Sequence, residues 1–389
     1  MKGIKYLMIF ASFLLLSSMS LDRSGNPLTS QLDYNRYQSI QPGELWLDNE
    51  GNHINGHGGG ILYYNGIYYW FGEHKGKDTN NAMVGVMCYS SPDLYNWTNS
   101  GVALSVVEDK DSPITKGAII ERPKVIYNKK TNQFVMYFHN EIKGRGYEAA
   151  HVGIAVSDKP EGPYKLLSSS RVNAGHWPLN LPENQRYIND ALAIEMEWWT
   201  PEWYNELRDG LFVRRDFATG QMSRDMTLYV DEDNKAYHIY SSEDNLTLHI
   251  AELSDDYLSY TGKYIRVAPG GHNEAPAIFK KDNLYYMITS GCTGWDPNAA
   301  RLFVSDNIMG DWKEYPNPCI GPDSELTFHS QSTFIIPVQG RKDAFIYMGD
   351  RWTPHDPIDG RYVWLPIIFQ NGLPVLKWVD EWDLSVFDK

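Results

Sequence analysis

Two glutamates occur in the same local pattern at two distant points of the chain. Glu121-Arg-Pro-Lys124 and Glu274-Ala-Pro-Ala277 each place a glutamate before an apolar run, with a proline two residues later. A carboxylate at the start of a buried strand is costly unless it has a partner or a function. Two carboxyl groups in one pocket can cleave a glycosidic bond, because one protonates the leaving oxygen while a group opposite activates water or attacks. The pattern predicts this chemistry, against the alternative that each glutamate only pairs with a cation or caps a turn.

Polar residues stand at the same offset before two further apolar runs, in His57-Gly-Gly-Gly60 and Ser330-Gln-Ser-Thr333. We expect all four polar positions to surround one axis. The three glycines lead into a strand and not into a helix, which argues against a phosphate-binding loop.

A repeat along the chain must position these segments. Each unit has an apolar strand, a turn, a Tyr-rich strand and a strand that ends in a Ser/Asp turn, and units start near residues 60, 124, 226, 277 and 333. Four-stranded units about 50 residues apart are typical of propeller blades. The repeat predicts an all-β fold, a five-bladed β-propeller with the glutamates at one end of its axis. A β-sandwich with long strands is the alternative.

The interval between the second and third units is too long for one blade. It predicts an insertion over residues 168–222, with a helix over 189–207 that Pro201 interrupts, and it contains Trp177, Trp198, Trp199 and Trp203. The insertion is either a packed decoration or a wall of the binding cleft.

The composition excludes several classes of function. A formal net charge of −14 and a pI of about 5.2 argue against nucleic acid as a partner. Aromatic residues make up 14% of the chain, which suits strands and a site that stacks sugar rings. The three cysteines include no C-x-x-C pair and predict neither a disulfide framework nor a zinc site.

The amino-terminal residues resemble a targeting segment. Residues 1–20 combine positive charge, an apolar stretch and small residues, as in an export signal, and residues 21–45 form a lead-in to a catalytic domain over 46–389. No later segment reaches 18 apolar residues, so we expect no membrane span. The mature protein is expected to be periplasmic or secreted.

The motifs together resemble glycoside hydrolase family 43, a family of exported five-bladed propellers, and most of all its branch of exo-β-1,3-galactanases and galactosidases. The resemblance spans residues 55–380. Besides the four segments above it rests on Trp70-Phe-Gly-Glu73, Ser223-Arg-Asp-Met, Tyr240-Ser-Ser-Glu243, Ser290-Gly-Cys-Thr-Gly-Trp295, Asp350-Arg-Trp and Tyr362-Val-Trp-Leu-Pro.

The resemblance implies catalytic roles. Glu274 matches the general acid of an inverting reaction, and Glu121 matches the residue that orients substrate and tunes the pKa of the acid. Most of the family uses an Asp of the first blade as general base, but His57-Gly-Gly-Gly60 contains none. In the galactanase branch a Gln takes that role, and Gln331 matches it, although an amide is a poor proton acceptor. Glu73 is a rival base, and water without a protein base is the third option.

Other residues are expected to hold the terminal sugar, by bidentate bonds to hydroxyls, by stacking or by keeping carboxylates ionised. The predicted set is Glu73, Asp225, Glu243, Thr293, Trp295, His57, Arg122 and Arg351. Trp352 and Trp364 are either further stacking rings or core residues. The resemblance requires no cofactor, and it allows an axial calcium ion near His272 or His329.

These inferences predict an exported enzyme that releases terminal galactose from β-1,3-galactan, such as arabinogalactan side chains, with inversion. Its partner is then an oligo- or polysaccharide, and the oligomeric state stays open. Two alternatives remain: an α-L-arabinofuranosidase or β-xylosidase on the same fold, and a non-catalytic glycan-binding propeller.

Overall fold

A computed structural model describes residues 36–188 and 195–388. The predicted export signal, residues 21–35 of the predicted lead-in and residues 189–194 of the predicted helix lie outside this part of the chain. Strands are its main elements, because runs of alternating and β-branched or aromatic residues are separated by short turns rich in Asn, Asp and Gly.

Four antiparallel sheets contain four strands each, and strands that follow one another in the chain lie side by side. Their bounds are β1 (His57–Tyr64), β2 (Ile67–Glu73), β3 (Gly85–Ser91), β4 (Thr98–Ser105), β5 (Ile119–Asn128), β6 (Gln133–Glu141), β7 (His151–Ser157), β8 (Lys165–Ser170), β9 (Met226–Val230), β10 (Ala236–Ser242), β11 (Thr247–Leu253), β12 (Tyr260–Val267), β13 (Glu274–Lys281), β14 (Leu284–Ser290), β15 (Arg301–Ser305) and β16 (Lys313–Tyr315).

Two smaller sheets follow, one in the order β18-β19-β20 and one in the order β17-β22-β21. Their strands are β17 (Cys319–Ile320), β18 (Gln331–Pro337), β19 (Phe345–Arg351), β20 (Arg361–Pro366), β21 (Ile368–Gln370) and β22 (Leu373–Lys377). Short 3-10 helices occupy Glu183–Gln185, Ser324–His329, Pro357–Asp359 and Leu384–Phe387.

The all-β class is confirmed, but the predicted number of five blades is wrong. The described residues form six sheets, so the propeller is six-bladed. The repeat did not reveal the sixth blade because its strands are two, three and five residues long. Its strands also lie on both sides of the β18-β19-β20 blade in the sequence, so they form no unit of their own.

The inner strands surround the axis. Strands β1, β5, β9, β13 and β18 contact one another in turn and close a ring, while β22 of the sixth blade packs beside β20. Apolar side chains fill the spaces between neighbouring blades. Trp364, a candidate stacking ring, is completely buried in one such core, where it contacts Trp46, Trp70 and Trp97. Trp364 is therefore a core residue.

The described amino-terminal segment joins the carboxyl-terminal one. The backbones of Ile40 and Trp382 exchange two hydrogen bonds of 2.7 and 3.0 Å. Both side chains are buried in the core between the first and fifth sheets. This bridge fixes residues near 40 to the propeller.

The insertion between β8 and β9 contains helices α1 (Pro201–Arg208) and α2 (Leu211–Arg215). Thr200 caps α1, since its hydroxyl accepts a hydrogen bond from the Trp203 backbone. Pro201 occupies the first helical turn, where a missing N–H costs nothing, so it begins the helix and does not interrupt it. Among the described residues, no helix has the length and apolarity needed to cross a membrane.

Candidate active site

A break in strand register follows the polar residue of four inner strands. The register shifts lie between His57 and Gly60, Glu121 and Lys124, Glu274 and Ala277, and Ser332 and Phe334. A β-bulge bends its strand and re-aims the side chains beside it, and Glu121, Glu274 and Gln331 face one cleft at the end of the axis while His57 stays buried.

The bulge explains the Glu-x-Pro pattern. The residues after the two glutamates, Arg122 and Ala275, have left-handed φ angles of 54° and 52°. The proline that follows has no N–H, and at a bulge no ladder partner is needed for one. In the first blade, Gly58 takes the left-handed position with φ 59°, and a Cβ atom there would collide with the Glu73 carboxylate. The repeated motif is thus a backbone device that places a side chain.

The end of the axis forms a cleft of about 360 Å³. Its walls come from residues of five blades and of the loops that join them. The lining residues are Glu73, Lys75, Glu121, Arg122, His139, Tyr147, Arg224, Asp225, Asn245, Glu274, Gly294, Trp295, Gln331 and Trp352. The two glutamates, more than 150 residues apart in the sequence, therefore share one cavity.

Glu274 has the properties of a proton donor. Burial raises its pKa to about 7, the negative charge of Asp225 adds to the rise, and Arg122 opposes it. Its Oε1 accepts a hydrogen bond of 2.6 Å from Asn245 Nδ2. About half of the molecules then carry a proton on Glu274 at neutral pH, as a general acid requires.

Glu121 is held in the ionised state. Burial alone would raise its pKa, but the hydrogen bond from His139, the charge of Lys75 and the Tyr147 hydroxyl outweigh burial and lower the pKa to about 2. One oxygen accepts from Tyr147 at 2.9 Å, and the other lies 3.1 Å from His139 Nδ1. Glu121 is therefore a permanent anion in the cleft.

His139 is fixed between two carboxylates. Its Nε2 lies 2.8 Å from Glu141 Oε1, on the side away from Glu121. Burial alone would lower its pKa, but the hydrogen bonds to Glu121 and Glu141 raise it to about 9. The imidazolium thus keeps Glu121 ionised at neutral pH.

Arg122 links three blades beneath the cleft. One of its terminal nitrogens donates to Asp225 Oδ2 at 2.7 Å and to the amide oxygen of Gln331, and the other donates to the Ser332 backbone. The guanidinium also lies over the Trp352 ring, 5.3 Å from its centroid.

The amide of Gln331 has little freedom. Its oxygen accepts from Arg122 and from Trp352 Nε1 at 3.0 Å, and its nitrogen donates to Ser290 Oγ at 2.9 Å. Guanidinium and indole N–H groups can only donate, so the oxygen must face them. Both oxygen lone pairs are then occupied, and one N–H remains for a molecule in the cleft.

Glu73, the rival base, is almost completely buried at 3% exposure. Its Oε1 accepts from the Arg122 backbone N–H at 2.9 Å, and its Oε2 forms an ion pair with Lys75. Burial raises its pKa, and Lys75 opposes that rise. With both oxygens engaged, Glu73 supports the bulge at Arg122 and is poorly placed to take a proton from water.

Comparison with known proteins places the chain in a family. The profile described as Glycosyl hydrolases family 43 matches residues 187–365. A solved family 43 β-1,3-galactosidase in complex with galactodeoxynojirimycin is 57% identical, covers 89% of this chain and 100% of its own, and has a TM-score of 0.86. The chain belongs to glycoside hydrolase family 43. This confirms the resemblance read from the motifs, and the protein is a glycosidase.

More distant relatives of this family 43 chain include a solved exo-β-1,3-galactanase of Phanerochaete chrysosporium with bound β-1,3-galactotriose. It is 31% identical, covers 90% of this chain and 69% of its own, and has a TM-score of 0.71. A curated relative, β-D-galactofuranosidase xynD of Aspergillus niger, is 20% identical over 292 residues, which are 73% of this chain and 71% of that protein.

Two predicted sugar ligands of the family 43 site lie outside the cleft, and their assignment is corrected. Glu243 is completely buried, and its carboxylate binds Arg266 at 2.7 and 2.8 Å and His249 at 2.8 Å. Burial alone would raise its pKa, but Arg266 and His249 lower it to about 2. His57 is also completely buried, stacks on Tyr362 at 5.3 Å, and has a pKa that burial holds well below its usual value.

Thr293 and Arg351 are likewise not among the residues of the cleft wall. The Thr293 hydroxyl donates to the Asp296 carbonyl at 2.6 Å and holds its own loop. Arg351 donates to the Phe328 carbonyl and lines a second cavity of about 350 Å³ that adjoins the cleft at Trp352. Both residues support neighbours of the site.

The remaining predicted residues share the cleft wall: Glu73, Glu121, Arg122, Asp225, Glu274, Trp295 and Gln331. Trp352 joins them, so it lines the site. The rings of Trp295 and Trp352 meet edge to face at 5.7 Å and form an aromatic wall.

Sequence reasoning missed Lys75, His139, Tyr147 and Asn245. His139 lies directly opposite Glu121 in the register of β5 and β6. His139 lies near the end of the second strand and Glu121 near the start of the inner strand, so the polar ends of the Tyr-rich strands were a usable signal. Tyr147 and Asn245 lie on loops, where no strand pattern could point to them.

The site does not fit the axial calcium ion that the resemblance allowed. Ligand atoms of Glu121, His139 and Asp225 lie within 4.8 Å of one another, but Arg122 already pairs with Asp225 and both His139 nitrogens face carboxylates. The two candidate histidines lie elsewhere: His272 stacks on a tryptophan ring, and His329 is half exposed beside Asp323. We assign a cation no role in the reaction.

Proposed function

We propose that this enzyme releases terminal galactose from β-1,3-galactan by single displacement with inversion. One observation carries the proposal: a glutamate with a pKa near neutrality, Glu274, and a permanently ionised glutamate, Glu121, share one cleft with an aromatic wall. The volume of that cleft is at the lower end of the range for small-molecule sites, which suits a terminal sugar. The relatives that cleave β-1,3-linked galactose support the choice of sugar.

In this mechanism the Glu274 carboxyl group gives its proton to the glycosidic oxygen as the bond to C1 breaks. The fixed negative charge of Glu121 stabilises the positive charge that develops on the sugar ring. Asp225 presents its Oδ1 to the substrate, because its Oδ2 is held by Arg122. Trp295 and Trp352 offer faces for the apolar side of the ring.

Gln331 then orients the attacking water. The Gln331 oxygen accepts hydrogen bonds from Arg122 and from Trp352. An imidic tautomer would carry a proton on that oxygen, and this proton would point at two N–H donors. Its free N–H can hold the oxygen of water on the face opposite Glu274. We therefore assign Gln331 to water positioning instead of proton abstraction. As the water oxygen bonds to C1, the proton that it loses passes to solvent water, and Glu274 is later reprotonated from solvent.

A substrate screen tests the function. The purified enzyme is assayed on β-1,3-galactobiose, β-1,3-galactan and aryl glycosides of galactopyranose, galactofuranose, arabinofuranose and xylose, and NMR follows the product anomer. We expect α-galactose as the first product of the β-1,3-galactoside. Preference for a furanoside or xyloside would replace the sugar assignment, and binding without turnover would favour a glycan-binding propeller.

Export is a separate part of the proposal, and the composition of residues 1–20 supports it. Amino-terminal sequencing of protein from the periplasm or the medium should give a chain that lacks these residues. A chain that keeps Met1 and stays in the cytoplasm would refute export without touching the catalytic proposal.

A further inference from the structure

The insertion is anchored to the cleft through its own small core. Trp203, Leu207, Leu211 and Phe212 pack with Leu246, and all five are buried. Leu246 follows Asn245, the residue whose amide donates to the proposed acid.

A second attachment fixes the insertion to the same loop. Arg215 forms an ion pair of 2.7 Å with Asp244, one residue before Asn245. The insertion therefore has a defined position beside the acid.

Two indole rings of the insertion stay outside this core. Trp198 and Trp199 directly precede Thr200, the cap of α1, and are 38% and 59% exposed. Trp199 has a left-handed φ of 71°, a conformation that costs a bulky residue free energy and persists only when its surroundings impose it. An exposed large ring held in a costly conformation requires an explanation.

Trp199 is held against the segment that leads to Glu274. Its ring stacks on that of His272, with centroids 5.8 Å apart and planes at 23°. His272 itself has a left-handed φ of 55° and precedes Glu274 by two residues. The second exposed ring, Trp198, stacks on buried Trp203 at 5.2 Å. Both indoles are thus rigidly backed, and Trp199 is next to the segment that carries the acid.

The position of the general acid determines which part of the substrate lies near Trp198 and Trp199. A general acid lies beside the leaving oxygen, so the part of the substrate beyond the cleaved bond leaves the cleft on the Glu274 side. Exposed, uncharged aromatic rings next to that side suit the apolar faces of sugar rings.

We propose that Trp198 and Trp199 form an outer subsite that binds the galactan chain beyond the sugars held in the cleft. The proposal rests on the proposed function and extends it, because it assigns the insertion a role in selecting polymer over short substrate. The other reading of the insertion, a packed decoration, predicts no dependence on chain length.

The test compares Trp199→Ala with wild type on β-1,3-galactobiose and on polymeric β-1,3-galactan. We expect kcat/KM on the polymer to fall about three- to tenfold, mainly through KM, and kcat/KM on the disaccharide to change by less than about twofold. Tyr63→Ala is the matched control, since Tyr63 is 39% exposed and lines a separate cavity along the inner strands. This variant should keep the wild-type kcat/KM on both substrates.

A binding measurement separates this proposal from the proposed function. Calorimetry on Glu274→Gln with a long galactan oligosaccharide should show an affinity that Trp199→Ala weakens by a similar factor. An equal loss on both substrates, or an unchanged polymer KM and affinity, would overturn the outer subsite. A wild-type enzyme inactive on every galactoside would instead overturn the proposed function.

Discussion

If Glu274 is the general acid, its protonation should set a pH limit on activity that one substitution can isolate. With a pKa of about 7, the protonated fraction falls from about one half at pH 7 to about one hundredth at pH 9. If the acid is required, kcat/KM on β-1,3-galactobiose should fall about 50-fold across this interval. Glu274→Gln should lose about 10²- to 10⁴-fold at pH 6, and its residual activity should lack this alkaline limb.

A substrate whose leaving group needs no protonation gives a second test of Glu274 as the acid. A nitrophenolate leaves with little protonation, so Glu274→Gln should lose far less activity on nitrophenyl galactoside than on the disaccharide. The matched control is Glu314→Gln, an exposed carboxylate on β16 of the same blade, which should keep the wild-type profile on both substrates. Near-normal turnover of the disaccharide by Glu274→Gln, or an unchanged alkaline limb, would refute the assignment of the acid.

The raised pKa of Glu274 also affects the free energy of unfolding. The folded-state pKa lies above the ordinary value of 4.5, so ionisation of Glu274 disfavours the folded state, beginning above pH 4.5 and reaching its full size above pH 7. A rise from 4.5 to about 7 corresponds to about 3 kcal/mol. Urea unfolding should therefore find Glu274→Gln more stable than wild type by about that amount at pH 8.5, with the difference nearly gone at pH 4.5. A difference that does not vary with pH would contradict the raised pKa.

Three further substitutions test the neighbours of the acid. Asp225→Asn removes a charge that raises the pKa of Glu274, so the alkaline limb of kcat/KM should move to lower pH; a limb that stays in place would leave burial as the sole cause. His139→Gln removes the imidazolium beside Glu121. Since the rise of the His139 pKa from 6.5 to about 9 corresponds to about 3 kcal/mol, the unfolding free energy of wild type should exceed that of the variant by about this amount below pH 6.5, and the excess should disappear as the pH rises through 9. A pH-independent difference would point to packing instead. Gln331→Ala should lower kcat about 10²- to 10³-fold with little change in KM, and an unchanged kcat would exclude Gln331 from orienting water.

Local patterns predicted which polar residues would lie close together. The residues Glu121, Glu274 and Gln331 were singled out because each lies at or near the start of an apolar strand, and the structure places all three on one cleft wall. The repeat also predicted sheets around an axis. Such inferences succeed because a strand's period and turn residues are properties of neighbouring amino acids.

Other features depended on pairing between distant segments. Glu243 resembled a sugar ligand, but Arg266, from another strand, takes its carboxylate. His139 carried no motif, yet strand register sets it against Glu121.

Short-range patterns were enough to predict the all-β class, the family and the polar residues near the start of the inner strands. The folded structure alone defines the sixth blade, because the fifth blade separates β17 from β21 and β22 in the sequence and the three short strands form no repeat. It also decided the opposite protonation states of the two glutamates. These states depend on burial and on charges from other strands and loops: His139 and Lys75 lower the pKa of Glu121, and Asp225 raises that of Glu274.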